Sequence, residues 1–132
     1  MLQITAFYAA LLAVLFLVLS VRVITWRQAQ RVEFEHGGDL ELRRRIRAHA
    51  NFAEYVPLTL VVMGLAESMS PPNIIIHLCG ILLLSGRLLH AYGISRSPPV
   101  LRARVYGMVL TMAALGIAAF VCLALSAFFL AV

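Results

Sequence analysis

The chain has 132 residues, of which 62% are hydrophobic and only 13% charged, against roughly 45–50% and about 25% in soluble domains. So few charged groups cannot clothe a globule this small, which excludes a soluble enzyme, a disordered tail and a disulfide scaffold, and leaves an all-α integral membrane protein. The net charge of +5 comes from eleven arginines and no lysine against six acids, a bias that reads as topogenic arginine rather than a nucleic-acid footprint.

The first apolar stretch, predicted as a helix over 3–26, is uncharged as far as Val21 and meets the ~20 residues needed to cross a bilayer. It lacks the basic start and small-residue cleavage site of a secretory signal, so it is kept as a span. His36, Gly37, Gly38 and Asp39 then form a turn and an N-cap, with Glu41 in the first turn of a second helix over 39–67. Pro71 and Pro72 mark the next turn, and a third helix is expected over 72–91. Ser97, Pro98 and Pro99 read as the cap and first positions of a fourth helix over 98–130. The uncharged run Val105–Val132 in that helix spans about 42 Å, so it must tilt or protrude.

The loops differ in charge. The segment from Arg22 to Arg47 holds seven arginines and the segment from Arg87 to Arg104 holds four, whereas the Pro71–Pro72 turn holds none. Both arginine-bearing loops are therefore expected in the cytoplasm, with the two termini opposite. Cys79 and Cys122 lie in apolar runs without metal-ligand spacing, which reads as small packed thiols, with neither a disulfide nor a metal site.

Polar groups inside the spans are the informative ones, because each costs a few kcal/mol unless it is paired. On helix 2, Arg44, Arg47, Asn51 and Glu54 fall at spacings of three, four and three, one stripe at 100° per residue. Glu54 is deep enough that it is expected to face protein, with an arginine as its partner; the alternative is a purely structural Arg47–Glu54 pair. Helix 3 carries Arg87 and His90 one turn apart, helix 4 carries Arg102 and Tyr106, and Arg22 ends helix 1 at the same level. Glu67, near the opposite surface, is expected to reach water and do nothing chemical, and His49 and His77 to pack. A bundle that gathers the first set has a basic cavity with one carboxylate, suited to an anion with several carboxylates and an amine. Lowering a bound thiol's pKa from ~8.5 by two units needs about 2.7 kcal/mol, within reach of one half-buried guanidinium.

These residues carry a resemblance. Arg47, Asn51, Glu54 and Pro57 resemble the helix 2 signature of the MAPEG family, the membrane-associated proteins in eicosanoid and glutathione metabolism. Arg87 with His90, and Arg102 with Tyr106, are similar to its helix 3 and helix 4 signatures, and the His36–Gly38 turn resembles the loop of its prostaglandin E synthases. The likeness runs through the whole chain in four-helix order. It implies a homotrimeric bundle that binds glutathione as co-substrate between neighbouring subunits near the cytoplasmic face. Asn51 and Glu54 would hold the peptide, with Glu54 near its amino group. Arg47, Arg87 and His90 would lie in or beside the pocket, Arg22 would be a further anchor, Arg102 would stabilise the thiolate, and Tyr106 would line the site. One departure is Ala50, where the family's enzymes carry an arginine; the carboxylate clamp is then missing, or supplied by Arg47 or Arg44.

The activity implied is a glutathione S-transferase or glutathione-dependent peroxidase in a bacterial inner membrane, acting on a hydrophobic electrophile or lipid hydroperoxide that enters beside helices 1 and 4. A non-catalytic lipid- or partner-binding protein on the same scaffold is the first alternative. A small multidrug exporter is the second, and it fits poorly: helix 1 has no carboxylate, and a basic cavity does not suit an organic cation.

Overall fold

The computed structural model describes residues 1–131. They form four helices and no strand: α1 (Gln3–Gln30), α2 (Leu40–Ser68), α3 (Asn73–Ser95) and α4 (Leu101–Ala131). By length and composition α1, α3 and α4 are long and apolar enough to cross a membrane. α2 is not in that set, because even beyond its arginines Asn51, Glu54 and Glu67 lower its hydropathy, although it runs beside the others. Large apolar side chains such as Val14, Leu17, Phe120 and Leu123 point outward, as expected of helices solvated by lipid rather than water.

Helices α2 and α3 form the centre. Each touches all three other helices, whereas α1 and α4 lie on opposite sides of that pair and do not meet. The α1–α2 and α3–α4 connections stand at one end of the bundle, rich in arginine, and the α2–α3 turn stands at the other. The latter end is tied by Glu67, whose two carboxylate oxygens accept the Ile4 and Thr5 amides at 2.9 and 2.8 Å. These are two of the amides that a helix start leaves without partners. Glu67 is therefore the cap of α1, a structural role beyond the expectation that it only reaches water.

At the arginine-rich end Asp39 caps α2: its Oδ1 accepts the Glu41 and Leu42 amides, and its Oδ2 accepts the indole N–H of Trp26 at 2.9 Å. Three helix boundaries move from their expected places. α1 continues to Gln30, where Arg31 takes a left-handed conformation (φ 54°) and its amide bonds back to the last turn. α3 runs to Ser95 because its last turn stays packed on α4. α4 begins at Leu101, with Pro98 and Pro99 in the connection, because the Val100 amide is held by the Gly93 carbonyl at 2.9 Å.

The α3–α4 contact is the closest in the molecule and depends on missing side chains. A Cβ on Gly86 would lie 2.8 Å from the Gly107 carbonyl oxygen and from Thr111 Oγ1, and one on Gly107 would lie 2.7 Å from the Gly86 carbonyl oxygen. The buried face of α4 is accordingly small: Ala103, Gly107, Thr111, Ala114 and Ala118. Ala114 and Ala118 are fully covered within the single chain.

Candidate functional site

Arg87 sits at the junction of α2, α3 and α4 with 2% of its surface exposed. Eight residues before the end of α3, it lies about 12 Å inside the arginine-rich end. Its Nε–H donates to Thr111 Oγ1 at 2.8 Å, and Nη1 donates to Asn51 Oδ1 at 2.7 Å and to the Asn51 carbonyl at 3.4 Å. Nη2 donates to the Gly107 carbonyl and to Met108 Sδ at 3.5 and 3.6 Å. A guanidinium has five N–H groups, and five acceptors surround this one. The Tyr55 ring stands 5.9 Å from its centre. None of the acceptors is a carboxylate.

His90, one turn further along α3, is also buried, and its Nδ1 pairs with the Arg104 carbonyl at 3.1 Å. Arg87 thus meets Asn51 across the α2–α3 contact, and Arg87 and His90 both turn inward onto neighbouring helices. Both side chains are enclosed by neighbouring helices within the single chain.

The rest of the predicted set faces outward. Glu54, three residues beyond Asn51, is exposed in the single chain and forms no ion pair among the described residues. It shares the outer face of α2 with Arg43, Arg47, Leu58, Val61 and Leu65. Within one chain the arginine partner expected for Glu54 is not found among the described residues. The stripe from Arg44 to Glu54 straddles the edge of the α2 contact surface, so Asn51 falls inside that edge and Glu54 outside it. Arg102 and Tyr106 are likewise exposed, on a face of α4 turned about 100° from Ala103 and Gly107.

Arg22 goes elsewhere. It donates to Ser95 Oγ at 3.0 Å and lines a groove of about 390 Å³ between α1 and α3, with Leu88, Tyr92 and Arg96. Arg47 lines a separate cleft of about 350 Å³ with Arg43, Arg44 and Arg104. An apolar hollow of about 270 Å³ opens between α1 and α2, walled by Leu12, Phe16, Phe52, Val56, Pro57 and Leu60. The expected entry groove beside α1 and α4 does not exist within one chain, because those helices are separated by the α2–α3 pair. One chain on its own therefore carries an internal polar tie and an outward set of Glu54, Arg102 and Tyr106.

Thr111, the acceptor of the Arg87 Nε–H, was not among the expected site residues. Its signal was its place on the small-residue face of α4, four residues after Gly107 and three before Ala114. Among the described residues no cluster of His, Cys, Asp and Glu has the makings of a metal site, and both cysteines are unpaired thiols, Cys79 buried and Cys122 half-buried.

Comparison with known proteins adds two findings. The family model of the MAPEG family matches residues 5–124. The inner membrane protein YecN of Escherichia coli K12 is 39% identical over 113 residues, covering 86% of this chain and 85% of its own length. The protein of the same name in Escherichia coli O6:H1 matches to the same extent.

Proposed function

Since the chain belongs to the MAPEG family, we propose that it is a glutathione S-transferase or glutathione-dependent peroxidase of the inner membrane, working on hydrophobic electrophiles or lipid hydroperoxides. The observation that carries this reading is Glu54, an acid on an outer helix face beside Leu58 and Val61 that forms no ion pair among the described residues. An ionisable group at membrane depth is costly unless it is paired. Arg102 and Tyr106 supply complementary groups on the outer face of α4. In a homotrimer, α2 of one subunit meets α4 of the next, and glutathione lies between them.

In that arrangement Glu54 accepts from the ammonium of glutathione, and Asn51, whose Oδ1 is engaged by Arg87, turns its amide N–H groups toward the peptide. Arg47 takes a carboxylate in place of the arginine replaced by Ala50. Arg102 holds the sulfur as thiolate, and Tyr106 lines the cleft beside it. Arg87 and His90 act at one remove, Arg87 by fixing Asn51 and His90 by fixing the start of α4. Arg22 stands apart, between α1 and α3, and is dropped from the glutathione set. The thiolate attacks the electrophilic carbon or the peroxide oxygen of a substrate arriving from the bilayer, and the leaving group departs with the displaced electron pair. Proximity and thiolate stabilisation are the main catalytic contributions. The loops that carry the arginines lie in the cytoplasm in this reading.

The test is glutathione titration of the detergent-solubilised protein, followed by calorimetry and by the ultraviolet absorbance of the thiolate. Wild type is expected to bind and to ionise the thiol, Arg102→Ala to bind without ionising it, and Glu54→Gln to bind more weakly by about tenfold, the loss of one charge-assisted hydrogen bond. No binding at millimolar glutathione contradicts the reading. Ala50 favours a second reading, a lipid- or partner-binding protein on the same scaffold, which predicts ligand binding without glutathione and indifference to Arg102→Ala.

A further inference from the structure

Arg22 and Arg96 stand at the mouth of the groove of about 390 Å³ between α1 and α3, at the arginine-rich end of the bundle. Arg22 is the first charged side chain of the sequence, after the uncharged run from Met1 to Val21, so it marks the level at which α1 leaves the apolar phase. It is fixed at both ends: the guanidinium donates to Ser95 Oγ at 3.0 Å, and the backbone carbonyl accepts from Arg45 Nη1 at 3.2 Å. Arg96 lies with its guanidinium 4.6 Å from the centre of the Tyr92 ring. No carboxylate lines the groove, and neither arginine has an ion-pair partner among the described residues. The last turn of α3 brings free carbonyls to the same place, worth roughly half a negative charge. Two guanidiniums exceed that, so the mouth keeps a positive excess.

Away from the arginines the groove turns apolar. Leu15, Val18 and Leu19 of α1 line it together with Leu88 and Ala91 of α3. A second furrow, of about 450 Å³, runs between α3 and α4 and is walled by Ser85, Leu89 and Leu110. Leu88 and Tyr92 belong to both and stand between them as a ridge, each half-exposed. The second furrow reaches Ser85, about 15 Å further along α3 than Ser95. Two apolar furrows therefore descend on either side of one ridge, and they meet at Tyr92, the ring on which Arg96 rests.

We propose that this face holds a two-chain anionic phospholipid of the surrounding bilayer, its phosphodiester between Arg22 and Arg96 and one acyl chain in each furrow. Guanidinium forks fit phosphate oxygens bidentately, and a basic pocket between membrane helices at headgroup level suits an anionic headgroup. Ser95 Oγ accepts from Arg22 and keeps its own proton to donate to a phosphate oxygen. Arginines that merely snorkel to the interface keep their freedom, whereas Ser95 and Tyr92 hold these two in place before any lipid arrives. The apolar furrows explain why the anion is a lipid and not a free ion. Arg22, Tyr92, Ser95 and Arg96 all stand outside the glutathione set.

The experiment uses the full chain in detergent and reads bound lipid by native mass spectrometry. Phosphatidylglycerol is compared with phosphatidylcholine of the same chains and with single-chain lysophosphatidylglycerol. Wild type is expected to retain phosphatidylglycerol in preference to both. Arg22→Gln and Arg96→Gln should each weaken that retention about fivefold, the share of one basic group in attracting an anionic headgroup. Arg96 is exposed, so Arg96→Gln folds even if Arg22→Gln does not. Arg43→Gln, which removes an exposed arginine from the outer face of α2, should leave retention unchanged. The proposal is overturned if phosphatidylcholine or the single-chain lipid is held as strongly as phosphatidylglycerol, or if Arg96→Gln has no effect. An equal loss in Arg43→Gln also overturns it, because net charge alone would then decide. Glutathione thiolate formation should persist in Arg96→Gln; its loss along with lipid retention would merge this face with the glutathione site and overturn a separate one.

Discussion

Arg87 is a buried cation with five neutral acceptors and no anion beside it, so its desolvation is offset by hydrogen bonds alone. Such a network has little slack. Thr111→Val keeps the volume and removes the acceptor of the Nε–H, and is expected to destabilise the protein by about 1.5–3 kcal/mol, the range for a hydrogen bond to a charged group. Denaturant unfolding in detergent reads this directly. A second residue-scale prediction concerns Asp39 in the α1–α2 loop. The Trp26 indole N–H, then the Leu42 amide, hold its carboxyl below the usual carboxylate range. A depressed folded pKa means the contribution is complete above the ordinary carboxylate range and lost as pH falls through the folded value. Trp26 is the sole tryptophan, so its fluorescence should report release of the loop on acidification, and Asp39→Asn should abolish that transition. An unchanged titration in Asp39→Asn would assign it to another group. Asp39 was legible as a cap from its place after two glycines, and Arg87 as a polar group out of place. The partners were not, since Trp26 and Thr111 are brought to them by packing rather than by spacing.

Helix by helix, existence was easier to read than extent. Twenty or more apolar residues announce a span, but where a helix stops is decided by neighbours. The Gly93 carbonyl delays α4 to Leu101, and Glu67 caps a helix more than sixty residues away in sequence. The crossing of α3 and α4 is the element on which the site rests, because it sets the Arg87–Thr111 bond and the place of His90. Gly107→Ala puts a methyl against the Gly86 carbonyl and the His90 backbone and is expected to cost about 1–3 kcal/mol through overpacking. Glu67→Ala leaves two helix-start amides unpaired and is expected to cost about 1 kcal/mol. Thermal unfolding reads both losses and glutathione binding distinguishes them: Gly107→Ala should also impair binding, since it moves the start of α4, and Glu67→Ala should not. Impairment by both alike would mean that binding follows stability rather than the α3–α4 geometry.

At the scale of the molecule, one chain separates what the sequence placed together. Arg44, Arg47, Asn51 and Glu54 share a stripe by periodicity, yet the edge of the α2 contact surface runs through it, and helical spacing alone does not say where that edge lies. Asn51 serves the interior through Arg87, while Glu54 is left on an outer face with Arg102 and Tyr106 on another. α1 and α4 never meet, so a cleft built from both needs a second copy. Four helices and a basic end followed from composition and loop charge; which outer face would meet another subunit did not, because an outer face solvated by lipid and one that meets a subunit are equally apolar.

The central claim, that glutathione is held by Glu54 of one subunit and Arg102 of the next, is tested most directly by mixing two defective variants. At glutathione held near the wild-type Kd, Glu54→Gln and Arg102→Ala are each expected to show little glutathione thiolate formation when purified separately. Co-expressed one to one, they should assemble with intact Glu54 and Arg102 facing each other at roughly a quarter of the interfaces of a cyclic oligomer, and thiolate formation should return in that proportion. Failure of the mixture to recover any signal, with wild type active under the same conditions, would place both groups in a single chain and contradict the shared site.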